Sequence, residues 1–120
     1  MIRLDATTRS LQFLLGASTA TTSLVSYITY KIKTANEVQP ERGGVSVARN
    51  NNSTAVTALS APPQNTVYEV DLWTINDTDT SSSRVTMQMV DATTTYPLET
   101  RTVSSGQSLF YAYGRGFDVS

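Results

Sequence analysis

Apolar side chains recur at every second position over most of this chain, and that spacing is the strand period. Ile2 and Leu4 alternate with Arg3 and Asp5, and Leu11, Phe13 and Leu15 alternate with Gln12 and Leu14. Between Ser23 and Lys33, one side of an extended segment carries Leu24, Ile28, Tyr30 and Ile32, and the other carries Val25, Tyr27, Thr29, Lys31 and Lys33. The same rhythm returns in Tyr68, Val70 and Leu72, in Val85, Met87 and Met89, in Leu109, Tyr111 and Tyr113, and in Phe117 with Val119. No helical stripe exceeds two turns. Threonine at the polar positions suits this pattern, because its branched β-carbon favours extended backbone and its hydroxyl tolerates water.

Turn residues punctuate the runs. Gly16 closes the second run, and Pro62-Pro63-Gln64-Asn65 precedes a long strand from Thr66. The stretch from Asn76 to Ser83 reads as a hairpin loop. Asp91 to Thr95, Ser104-Ser105-Gly106 and Gly114-Arg115-Gly116 are further connections. Seven to nine short strands so spaced predict an all-β chain, an antiparallel β-sandwich or jelly roll. Its body runs over residues 23–120, and residues 1–22 form an extended N-terminal strand arm and linker. Residues 34–53, with Pro40, Gly43, Gly44 and Asn50-Asn51-Asn52, show little periodicity, although Val45 and Val47 suit a short strand. That stretch is expected to be a long loop, either packed on a partner or a mobile excursion.

Composition narrows the chemistry. The 120 residues contain no cysteine and no histidine, so disulfides, cysteine-based metal centres and histidine-assisted nucleophiles are excluded. A net charge of −1 lacks the basic excess of a nucleic-acid binder. Lys31, Lys33, Arg42 and Arg49 make the middle mildly basic, but Glu37 and Glu41 interrupt it. Gln12 breaks the apolar run from Leu11 to Ala17, so the start does not read as a signal peptide, and no run approaches the ~20 residues of a spanning helix. Synthesis in a cytoplasm is expected.

Few residues suggest a site. Asn76, Asp77 and Asp79 offer three oxygen ligands within four residues, which a calcium ion would need to see supplemented; the same residues also dominate turns. Glu69 and Asp71 resemble a carboxylate pair, but the pattern reads better as a sheet face open to water or to a partner. Trp73 and Ile75 fall on the same alternating face as these two acids. Either a bulge turns the strand over there, or a second chain half-covers the face. Gly114-Arg115-Gly116 is too short for a phosphate loop and reads as a hairpin turn. The Asn-X-Ser/Thr triplets at Asn51, Asn52 and Asn76 mark polar loops. No catalytic, metal or cofactor residues are assigned, and a non-enzymatic role is expected.

The opening Leu4-Asp5-Ala6-Thr7-Thr8-Arg9-Ser10-Leu11-Gln12 through Leu15-Gly16-Ala17 resembles that of small virion proteins of tailed bacteriophages. The likeness continues in Thr54-Ala55-Val56-Thr57 and Ala61-Pro62, and in Gly106-Gln107-Ser108-Leu109-Phe110-Tyr111 with Gly114-Arg115-Gly116-Phe117. Gln107 and Phe117 stand where that family tends to carry Glu and Trp. The resemblance implies a structural β-sandwich protein of the virion, made in the bacterial host. Its first expected role is a capsid decoration (cement) protein that binds the major capsid protein and copies of itself, grouped as a homotrimer. The other is a further head, neck or tail component, including a fibre base or a receptor- or glycan-binding domain that uses Trp73, Tyr27 or Tyr96 as a stacking platform. In a capsid-binding role the N-terminal arm is expected to pair with neighbouring copies or with the shell. The interface residues expected from these readings are Ile2, Leu4, Leu11, Phe13, Trp73 and Ile75.

Overall fold

The computed structural model describes residues 1–34 and 42–120. Ten strands occur among them: β1 (Arg3–Leu4), β2 (Arg9–Leu15), β3 (Leu24–Thr34), β4 (Arg42–Asn50), β5 (Val56–Leu59), β6 (Thr66–Asn76), β7 (Ser83–Asp91), β8 (Thr94–Val103), β9 (Ser108–Ala112) and β10 (Gly116–Val119). They form two antiparallel sheets packed as a β-sandwich. The six-stranded sheet runs β10-β9-β6-β3-β4, with β1 also paired to β6 beside β9. The four-stranded sheet runs β5-β2-β7-β8.

The period-two pattern fills the space between them. From the four-stranded sheet come Leu11, Phe13, Leu15, Val85 and Met87, all buried. They meet Leu4, Leu24, Ile28, Val70, Trp73, Ile75 and Leu109 from the other sheet, in one continuous core. The polar groups of Trp73, Ser26 and the Ile2 backbone that enter this layer are hydrogen-bonded. The Trp73 indole Nε1 donates to Ser26 Oγ at 2.8 Å, and the Ile2 amide donates to the Tyr111 hydroxyl at 2.9 Å. Asn50 anchors the end of β4 by donating from Nδ2 to the carbonyls of Phe13 and Thr54.

Four expectations are corrected. Residues 1–15 are not an arm: β2 lies between β5 and β7, paired with β7 from Arg9↔Asp91 to Leu15↔Val85, and β1 pairs with β6. Its large apolar residues on one face are drawn into the core of their own chain rather than left for a neighbour. Within the expected 34–53 loop, Arg42–Asn50 is the strand β4. β4 pairs with β3 over nine consecutive positions, from Leu24↔Asn50 to Ile32↔Arg42, while residues 35–41 lie outside the described residues. The small residues facing inward, Gly44, Ser46 and Ala48, give no apolar signal. At Gly44 a β-carbon would stand 2.4 Å from the Tyr30 ring, so a larger residue there would have to displace that ring. The polar strand β8 follows a two-residue turn at Ala92–Thr93, where a longer connection was expected. Finally, residues 77–82 are not a hairpin loop, since β6 and β7 belong to different sheets.

Phe13 separates the arm reading from the core reading. Phe13→Ala is expected to cost about 3–5 kcal/mol in urea unfolding of the free protein. An assembly arm would leave that stability unchanged.

Candidate interaction surface

All six residues expected at an interface lie in the core. Ile2 is 6% exposed, and Leu4, Leu11, Phe13, Trp73 and Ile75 are fully buried. Trp73 therefore offers no stacking platform, unlike Tyr27 and Tyr96, which are 40% and 51% exposed. The cause is a bulge in β6. Thr29 of β3 faces Leu72 and Tyr30 faces Val70, so Asp71 is an extra residue with no opposite number. Before the bulge, Thr66 and Val70 point inward; after it, Trp73 and Ile75 do. Of the two alternatives posed by the sequence, the bulge is the one the structure adopts. The residue that follows β9 helps hold it, since the Tyr113 amide donates to the Asp71 carbonyl at 2.9 Å.

Directly opposed residues share a face, so the register also gives the outer surface of the large sheet. One row crosses five of the six strands as Val47, Tyr27, Thr74, Phe110 and Asp118. The next runs Val45, Thr29, Leu72, Ala112 and Gly116. Val45 and Val47 are 57% and 56% exposed, and Leu72 and Phe110 are half-buried. The result is an apolar strip on a surface turned away from the core. Sequence reasoning missed Val45, Val47, Leu72 and Phe110 as surface candidates; the alternation of valine with small residues in β4 was the available signal.

Beyond the strip, above the bulge, the surface becomes charged. Lys33 Nζ stands 2.6 Å from Glu69 and Lys31 Nζ 3.8 Å from Asp71, with Arg3 on the far side of Glu69 at 3.9 Å. The Lys33 hydrogen bond, helped by the surrounding cations, holds the Glu69 carboxyl below its usual range. Met1 and Tyr113, the latter 61% exposed, complete a shallow groove of about 210 Å³ over these pairs.

The Asn76–Asp79 cluster is a clasp between the sheets. Asp79 accepts hydrogen bonds from the amides of Ala20, Thr21 and Thr22 and from the hydroxyls of Thr21 and Ser81. A cation at Asp79 would confront this ring of N–H groups, so the geometry suits an anion held by donors. Those donors, the amide of Ala20 and the Ser81 hydroxyl first, hold its pKa far below the usual carboxylate range. Asp77 is the opposite case. Its Oδ1 accepts from the Asp79 amide, but its Oδ2 is buried with no hydrogen-bond partner among the described residues, and burial pushes its pKa up. Gly114-Arg115-Gly116 forms the β9–β10 turn, with both glycines at positive φ, near 80° and 76°.

Comparison of the chain with protein-family models, with curated protein sequences and with solved structures gives no match.

The two aspartates should act on stability in opposite senses. The depressed pKa of Asp79 contributes stability that is present above the normal carboxylate value, near 3.8, and is lost as the pH falls below it. The raised pKa of Asp77 gives a contribution complete in acid, which disappears as the pH rises through its elevated value. Asp77→Asn is therefore expected to raise Tm at about pH 7, with the gain vanishing near pH 3. Asp79→Asn should lower Tm at neutral pH and flatten the acid limb of the profile. Thermal unfolding followed by circular dichroism across this range reads both.

Proposed function

We propose that the chain is a structural virion protein of a tailed phage, acting as a capsid decoration protein that attaches to the outer shell and to copies of itself. The apolar strip of Val45, Val47, Tyr27, Leu72 and Phe110 on the outer face of the large sheet is the observation that carries this reading. Exposed apolar and aromatic side chains aligned across paired strands make a flat, stiff surface suited to docking on another flat surface. The resemblance of the opening and closing segments to small phage virion proteins supports the major capsid protein as that partner. Many weak contacts around a symmetric shell would multiply a modest affinity per subunit.

A second reading rests on the groove above the bulge. Tyr113 stands there beside Lys31, Lys33, Glu69 and Asp71, an aromatic face next to charged hydrogen-bonding groups. That combination fits a receptor-binding component of the virion that holds a sugar. Glycan-array binding abolished by Tyr113→Ala would favour this reading over shell decoration.

The direct test mixes the purified chain with phage heads that lack it. Decoration predicts binding on the order of hundreds of copies per particle and greater heat resistance of the heads. Tyr27→Lys should weaken that binding at least about tenfold and change the stability of the free protein by less than about 0.5 kcal/mol. Saturation at about a dozen copies would instead indicate a neck, tail or vertex component.

A further inference from the structure

A sheet edge exposes unpaired backbone N–H and C=O groups, and stable proteins usually blunt it. Most edges here are blunted. β5 and β10 have four residues each, and β1 has two. β8 is long but carries Pro97, then a bulge at Leu98, then Glu99 and Arg101, which pair with each other. Proline removes a donor, and the bulge twists the edge away.

β4 has none of these devices. It is nine residues long, free of proline, and regular against β3 throughout. Its only charges, Arg42 and Arg49, lie near its ends. Among the described residues, no backbone hydrogen bond runs from β4 to any strand but β3. Its outward side chains include the most exposed aliphatic residues of the strip, Val45 and Val47.

We infer that β4 is the self-association edge of this protein, and that two copies join there antiparallel about a two-fold axis through Ser46. The register follows from two constraints. Opposed residues share a face, so both outer surfaces stay on one side only if the axis passes through a residue. Ser46 is the midpoint of Arg42–Asn50, so centring there pairs the whole strand.

That register is also compatible in charge and size. Arg42 faces Asn50 of the second copy, and Arg49 faces Gly43. Neither arginine meets another across the pair, and neighbouring arginines point to opposite faces. Val45 of one copy lies against Val47 of the other, so the strips fuse into one apolar surface bounded by a Tyr27 on each side. Gly44, Ser46 and Ala48 face inward, where the Tyr30 ring lies over Gly44 and Ser46 Oγ donates to the Ala58 carbonyl of β5 at 2.6 Å, so the pairing edge carries no bulky side chain of its own on that face. The closed two-fold arrangement predicts two subunits in place of the expected homotrimer. It concerns the free protein, so it can fail while shell binding succeeds, and the reverse.

Sedimentation equilibrium on the full chain is expected to give twice the 13.0 kDa chain mass. The double variant Val45→Lys with Val47→Lys, changed at exposed positions, should raise the dissociation constant at least about tenfold. Because the chain has no cysteine, the register can be read by oxidation. An equimolar mixture of Val45→Cys and Val47→Cys, both on the exposed face, should form a mixed disulfide. Val45→Cys alone should not cross-link, since its two copies would sit about 7–8 Å apart on the diagonal. A monomer at all concentrations up to about 1 mM would overturn the inference. So would an oligomer indifferent to the double lysine variant, or cross-linking of Val45→Cys alone as efficient as that of the mixture.

Discussion

The extra residue at Asp71 decides which side of β6 faces the core. Without it, the alternation set by Tyr68 and Val70 would continue to Leu72 and Thr74, and Trp73 would project from the surface. With it, the largest side chain of the core enters between the sheets, donates its indole proton to Ser26, and brings Ile75 with it. The same inversion leaves Leu72 and Thr74 outside, in line with Tyr27 and Phe110. Core packing, the apolar strip and the charged groove above the bulge thus share one backbone irregularity. Bulges often stand beside binding surfaces because they re-aim side chains in this way.

How much of this could be read beforehand depended on whether a strand has an apolar inner face. The runs in β2, β3, β7, β9 and β10 alternate large apolar residues with polar ones, and their inward sets were legible residue by residue. β4 and β8 were not, for different reasons. β4 turns glycine, serine and alanine inward and valine outward, so its apolar positions mark the surface. β8 is an edge strand of threonine, glutamate and arginine with a proline, held by pairing to β7 more than by burial. The interface residues were misassigned through one assumption. Two short N-terminal runs joined to the body by a small, polar segment look like a detachable arm, but the connection at residues 16–22 is pinned by Asp79 and Asn51. Backbone and carboxylate hydrogen bonds of that kind are invisible in a hydropathy pattern.

Asp77 and Asp79 show how one short connection divides its tasks. Asp79 is surrounded by donors and is stabilised as an anion. Asp77, two residues earlier, organises the turn through one oxygen and leaves the other buried and unpartnered. The penalty at Asp77 is borne where the chain leaves one sheet for the other, and the hydrogen bonds at Asp79 offset it locally.

The order of the strands carries a kinetic consequence. Among the described residues, the chain passes between the two sheets six times on its way from β1 to β10, and local hairpins account for only three of the pairings. Neither sheet is made from one continuous stretch of sequence. Loop closure over long separations must therefore precede most of the stabilising contacts, which favours slow, all-or-none folding on the millisecond-to-second scale of β-sandwiches. A ribosome-bound or proteolytically shortened chain has no half-domain to fall back on.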